Sequence, residues 1–165
     1  MKVVLVGAPG TGKNELLCEL VKRYKLSPWR SPNALLDQVV GQLADYRTEL
    51  RLAISRAQNP THDLYDHSLI DSVAYTSTRY MNMLNNGTVS DEELFRWMMT
   101  FHMAALLLRD SFKADKVVFI PGNDGESFSK QIEEALLETL KQLKIEYDTL
   151  TEDYDWGAVF SGPNA

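Results

Sequence analysis

The sequence predicts an α/β domain: a three-layer sandwich whose five-stranded parallel sheet is covered by helices on both faces. Three observations lead there. Short apolar runs alternate with longer amphipathic runs along nearly the whole chain. The first apolar run, Val3-Val4-Leu5-Val6, passes through a glycine-rich loop directly into a helical run. At 165 residues and 44% apolar composition, the chain is the size of one domain with a full core.

The elements follow in order. Residues 2–6 read as a buried strand and 13–24 as a helix. Residues 25–30 are short, aromatic and proline-bounded, so an extended segment is expected there. From Pro32 to about Ala57, the residues Leu35, Leu36, Val39, Val40, Leu43, Tyr46, Leu50 and Ala53 fall near a 3.6-residue period. Asn59-Pro60 stops that helix. His62–Asp66 reads as a strand, and a helix from about Ser68 to Leu84 is ended by Asn85-Asn86-Gly87. Ser90-Asp91-Glu92-Glu93 caps the next helix, which runs to about Phe112. Within it, Met98, Met99, Phe101, Met103, Leu106, Leu107 and Leu108 read as core packing. Lys116–Ile120 is a strand, 121–125 a loop, Ser127 to about Leu143 a helix, and Ile145–Leu150 the last strand. Residues 1–150 form the domain, and the polar stretch from Thr151 to Ala165 reads as a loose tail.

The loop after the first strand is Gly7-Ala8-Pro9-Gly10-Thr11-Gly12-Lys13, followed by Asn14 and Glu15 at the start of the helix. Strand, glycine-rich loop and helix N-terminus in this order form a phosphate cradle of the Walker A type. Glycines let successive backbone N–H groups turn toward one anion, and Lys13 reaches the terminal phosphates. The pattern matches GxxxxGK but has Asn14 where a hydroxyl residue is usual. Asn14 either offers Mg²⁺ its amide oxygen or merely begins the helix, the metal then being held by phosphates and water. In a parallel sheet, ligands bind at the C-terminal strand ends, here Val6–Gly7, Trp29–Arg30, Asp66–His67, Ile120–Pro121 and Leu150–Thr151.

Here a resemblance enters. The loop is similar to that of nucleoside and nucleoside-monophosphate kinases. The segment Leu64-Tyr65-Asp66-His67-Ser68-Leu69-Ile70-Asp71-Ser72-Val73-Ala74-Tyr75 resembles a second motif of small P-loop kinases, in which a strand ends in Asp-Arg-Ser. Deoxynucleoside kinases and ribosylnicotinamide kinases carry versions of it. The resemblance spans roughly residues 1–150 and implies binding of ATP with Mg²⁺ and transfer to a nucleoside or nucleotide. Lys13 and Asp66 are then the catalytic candidates, with Asp66 accepting the acceptor hydroxyl's proton or holding a metal-bound water. The alternative for Asp66 is a helix N-cap. Asp71 and Tyr75 share a helix face that Arg79 continues, and the three are candidates to line the acceptor pocket. Trp29 and Arg30 are candidates to stack on a base and to hold an anion. His67 stands where the resemblance expects an arginine. The loop 121–126 also lacks the arginine such kinases place in a lid, leaving Arg109, Lys113 or a partner subunit as its source.

Composition narrows the partners. A net charge of −6 and an acidic pI argue against non-specific duplex DNA binding, although Lys22, Arg23, Lys25 and Arg30 keep a DNA acceptor in view. No apolar stretch is long enough to span a bilayer, and the first strand leaves no room for a signal peptide, so a cytoplasmic protein is expected. The single cysteine, Cys18, is expected as a small buried residue on the first helix. Two other functions remain: a P-loop ATPase, and a binding protein that keeps the loop without the chemistry. The ATPase class needs an apolar strand ending in Asp-Glu, which the sequence lacks.

Overall fold

The computed structural model describes residues 1–29, 46–58, 61–87, 89–122 and 127–160. Strands β1 (Val3–Val6), β2 (Pro28–Trp29), β3 (Leu64–Tyr65), β4 (Lys116–Phe119) and β5 (Asp148–Thr149) form one sheet in the order β2-β3-β1-β4-β5. Each neighbouring pair is parallel. The described residues include helices α1 (Lys13–Tyr24), α2 (Tyr46–Ala57), α3 (Leu69–Asn86), α4 (Asp91–Ser111), α5 (Ser127–Gln142) and α6 (Trp156–Phe160).

The two-residue period of the strands divides the core. Val3 and Leu5, with Leu64, Val118 and Ile120, point toward α1 and α6, where Leu17, Leu20, Trp156 and Val159 close over them. Val4 and Val6, with Tyr65, Val117 and Phe119, point toward α2, α3, α4 and α5. All four residues of β1 are fully buried, as befits the central strand of a sheet covered on both sides. The register pairs Val4 with Tyr65 and Val6 with Phe119. The ends of β1, β3 and β4 therefore come to one edge, bringing Gly7, Asp66 and Ile120 together there.

Helix boundaries have local causes. Ser68 caps α3: its Oγ accepts from the Ile70 N–H at 3.1 Å, while Asp71 Oδ2 accepts from the Ser68 N–H at 2.8 Å, a reciprocal box. Gly87, at φ 64°, closes the same helix. Ser90 Oγ caps α4 by accepting from the Glu93 N–H.

Several expectations change. Cys18 is exposed, because α1 buries Leu17 and Leu20 and the next residue along turns about 100° away. On α4, Met99, Met103 and Leu106 are nearly half exposed, whereas Trp97, Thr100, Ala104 and Leu108 meet the core. The last strand is two residues long rather than six: Lys144 turns at φ 53°, and β5 pairs along one side only. Residues 151–160, read from the sequence as the start of a loose tail, instead carry α6. There Trp156 and Val159 are buried beside Tyr24 and Leu20. The first half of the helix expected over 32–57 lies outside the described residues, as does Arg30.

Candidate functional site

The loop leaves β1 buried and ends exposed. Gly7 and Ala8 are buried; Pro9, Gly10 and Gly12 are exposed. A Cβ on Gly7 would meet Thr11 Oγ1 at 3.0 Å and the Ile120 carbonyl at 3.2 Å, so only glycine lets the loop lie this close to β4. Gly10 and Gly12 have φ of 82° and 77°, the left-handed region that side chains resist. Thr11 Oγ1 donates to the Ala8 carbonyl at 2.9 Å, and Ser129 at the start of α5 donates to the Pro9 carbonyl at 3.3 Å. Gly12 caps α1 without a side-chain hydrogen bond, which leaves the helix's first N–H groups without a side-chain acceptor from their cap. Together these features set backbone N–H groups at a helix N-terminus, an arrangement suited to an anion.

Lys13 opens α1 and folds back over the loop. Its Nζ donates to the Gly7 carbonyl at 3.2 Å and lies 3.7 Å from Asp71 Oδ1. Asp71 is 2% exposed and therefore serves twice, fixing the start of α3 and balancing the loop ammonium. Asn14 and Glu15 are exposed on the first turn of α1.

Asp66 follows β3 and is buried, with its Oδ1 3.2 Å from His67 Nδ1. The cap of α3 belongs to Ser68, so the N-cap alternative for Asp66 does not hold. The trio Asp71, Tyr75 and Arg79 separates. Asp71 faces Lys13, Tyr75 meets Phe128 edge-on at the start of α5, and Arg79 lies over the Trp97 ring of α4. The cause is geometric: positions four apart drift by about 40° per step around a helix, so positions eight apart face different neighbours. Trp29 packs on Tyr65 with ring centroids 5.7 Å apart and is partly buried against the core.

Two buried charged residues on α2 escaped the sequence reading. Glu49 is 4% exposed and Arg56 7%, and both share the buried face of Leu52 and Ala53. Arg56 donates to Ser72 Oγ at 2.7 Å across to α3. It also lines a narrow crevice with Lys2, Trp29, Tyr65 and His67. The signal was present as charges two turns apart on an otherwise apolar stripe. A guanidinium thus lines the same crevice as His67, which occupies the place where the resemblance expects arginine. Lys113 leads into Lys116, the register partner of Val3, and so lies at the sheet edge opposite the loop. Arg109, a turn earlier, is exposed and paired with Asp110 at 2.9 Å. Neither follows the chain toward the phosphate end of the sheet.

Among the described residues, no three His, Cys, Asp or Glu side chains come together as a metal site. A nucleotide-borne Mg²⁺ does not need one, because it takes its ligands mainly from phosphate and water. No helix among the described residues is long and apolar enough to cross a membrane.

No protein-family model matches the chain, and no curated protein matches it in sequence. Its fold is that of the P-loop nucleoside and nucleotide kinases. Deoxyadenosine kinase from M. mycoides with bound dCTP aligns at a TM-score of 0.65 and 17% identity, over 91% of this chain and 88% of that chain. The same kinase with bound dATP aligns at 0.63 and 17%, over 91% and 89%. The NadR protein in complex with NAD and AMP-PNP aligns at 0.61 and 16%, over 93% of this chain and 45% of NadR, so this chain spans less than half of that protein.

Proposed function

We propose that the chain is an ATP-dependent phosphotransferase that moves the γ-phosphoryl group to a nucleoside, a nucleoside monophosphate or a related metabolite. One observation carries the reading: a loop lysine and two buried carboxylates, Asp66 and Asp71, are set at the adjoining ends of β1 and β3. Lys13, the loop N–H groups from Gly7 to Asn14 and the start of α1 at Glu15 hold the triphosphate. Asp66 orients the acceptor hydroxyl and receives its proton. Asn14 and Asp66 would supply oxygen to Mg²⁺, which would spread the charge of the transferring phosphates. Glu49, Arg56, His67 and Tyr75 form the polar wall of the acceptor site, and Arg56 supplies there the guanidinium that the resemblance expects at the position of His67. Catalysis then rests on positioning and charge stabilisation. The kinase neighbours' bound nucleotides, dATP and AMP-PNP, support the triphosphate end of this reading.

The test is ATP consumption measured with and without a panel of nucleosides, nucleotides and pyridine nucleosides. Acceptor-dependent turnover supports the kinase. Turnover equally fast with no acceptor favours the ATPase. The close Asp66–His67 pair and the arginine-free loop 121–126 favour a third reading, a nucleotide-binding protein without transfer. Nucleotide binding with no turnover on any acceptor would establish it. A DNA-borne acceptor is disfavoured by the charge of −6.

A further inference from the structure

We infer that Glu133 on α5 is a positioning residue for the phosphate loop and acts on it through Gly122 and Thr11. The inference rests on the reading of that loop as the triphosphate site. The sheet shows why such a residue is needed. β4 follows β1 as far as Ile120, whose N–H donates to the Val6 carbonyl at 2.7 Å. Beyond Val6, β1 has ended and the chain turns into the loop. Two residues past Ile120, the Gly122 N–H donates instead to Glu133 Oε1 at 2.6 Å. A carboxylate is the stronger kind of acceptor for a backbone N–H, and this one is partly buried.

The peptide held in this way is a wall of the loop. A Cβ built on Gly122 would come 3.3 Å from Glu133 Oε1 and 3.5 Å from Thr11 Cγ2, so Gly122 lies between the carboxylate and the loop threonine. Thr11 is the loop's internal strut. Its Oγ1 bonds the Ala8 carbonyl, and it stands between Gly10 and Gly12, the two glycines in left-handed backbone. Glycine on either side leaves the backbone free to take other shapes. A threonine fixed between them therefore decides which way the neighbouring N–H groups point. Ser129, four residues before Glu133 and so on the same face of α5, reaches the loop directly at the Pro9 carbonyl. Burial of Ile132, Leu136 and Leu140 fixes the rotation of α5 and hence the aim of both side chains. The helix that follows the arginine-free loop 121–126 thus grips the phosphate loop at two points, and what it contributes there is rigidity rather than positive charge.

Calorimetric titration of the full chain with a non-hydrolysable ATP analogue tests this. Glu133→Ala should weaken binding by about tenfold, the scale of one hydrogen bond to a charged group, and raise the KM for ATP while leaving the acceptor KM unchanged. Glu133→Gln keeps an acceptor oxygen and should bind within about threefold of the unmodified chain. Thr11→Ser removes only the methyl that faces Gly122. In that background Glu133→Ala should cost less than about threefold, because the route is already cut. Methyl relaxation gives a readout without nucleotide: the order parameter of the Thr11 γ-methyl should fall in Glu133→Ala and be kept in Glu133→Gln. An alanine variant as tight as the unmodified chain, a glutamine variant as weak as the alanine one, or an equal cost of Glu133→Ala with and without the Thr11 methyl would each overturn the inference. If the unmodified chain binds no analogue, the triphosphate reading fails, and the Thr11 methyl alone decides: an order parameter unchanged in Glu133→Ala overturns the positioning role.

Discussion

Replacing Lys13 by alanine should weaken both the fold and the grip on nucleotide, and the two losses should separate in a double variant. At 3.7 Å from Asp71 Oδ1, the ammonium gains about 4.5 kcal/mol of direct attraction at an effective dielectric of about 20. Dehydrating both groups offsets part of this; their side chains are only 11 and 3% exposed. The carboxylate left behind keeps the Ser68 N–H, so we expect a net loss of about 1–3 kcal/mol. For a domain of this size that lowers the melting temperature by about 3–9 °C. The same lysine, donating charge-assisted hydrogen bonds to two phosphates, contributes on the order of 10²–10⁴ in affinity. Thermal denaturation and calorimetric titration with a non-hydrolysable ATP analogue read the two effects. Lys13→Ala/Asp71→Asn should recover more than half of the melting temperature and none of the affinity. If Lys13→Ala melts within about 1 °C of the unmodified chain, Asp71 does not depend on it as a counter-ion. If it keeps analogue affinity within about threefold, the loop does not hold the triphosphate through this residue.

Asp66→Asn should lower acceptor-dependent turnover by on the order of 10²–10⁴ while leaving affinity for the magnesium-free analogue unchanged; steady-state rates beside calorimetry decide, and retained turnover would move the base elsewhere. Arg56→Met keeps the apolar stem but loses the 2.7 Å bond to Ser72, so we expect about 1.5–3 kcal/mol less stability in urea and a raised acceptor KM at unchanged ATP KM. A pH series should show the C-terminal segment loosening at both extremes. Tyr154 donates to Asp148 Oδ2 at 2.7 Å, and that bond together with Lys116 at 3.1 Å holds the Asp148 carboxyl below its ordinary value. The stability it supplies is whole above about pH 4 and disappears as pH falls through that lowered value. The Tyr154 phenol is pushed up by burial and by Asp148, so its share is whole below about pH 10 and is lost as pH rises beyond. Amide exchange of residues 151–160 should show both limits, and Asp148→Asn should abolish the acidic one.

The parts legible in the sequence are those with local causes. The phosphate loop could be read because two left-handed turns and one close approach demand glycine at fixed offsets, and the neighbouring residues decide this alone. The start of α3 has an equally local cause, since Ser68 and Asp71 stand three apart, although the sequence reading offers Asp66 as the cap. The ion pair of Asp71 is not local: its partner, Lys13, is 58 positions away, and the sequence offers Asp71 only as a candidate for the acceptor pocket. Burial of Glu49 and Arg56 depends on α2 lying against α3, which no window of sequence contains. The methionine-rich helix misled for a related reason. Apolar residues occur all round α4, so periodicity could not say which side meets the core. Trp156 and Val159 were hidden by their polar surroundings and count only through Leu20 and Tyr24 on α1.

The outward turn of Cys18 has a practical consequence. It is the chain's sole cysteine and stands on α1, the layer covering the side of the sheet away from α4. In air, two molecules can become covalently joined through this sulfur, giving a particle of doubled weight. Preparations kept without thiol reductant would therefore mix single chains with disulfide-linked pairs. The same atom, alkylated once, offers a single spectroscopic reporter five residues along the helix from the Lys13 ammonium.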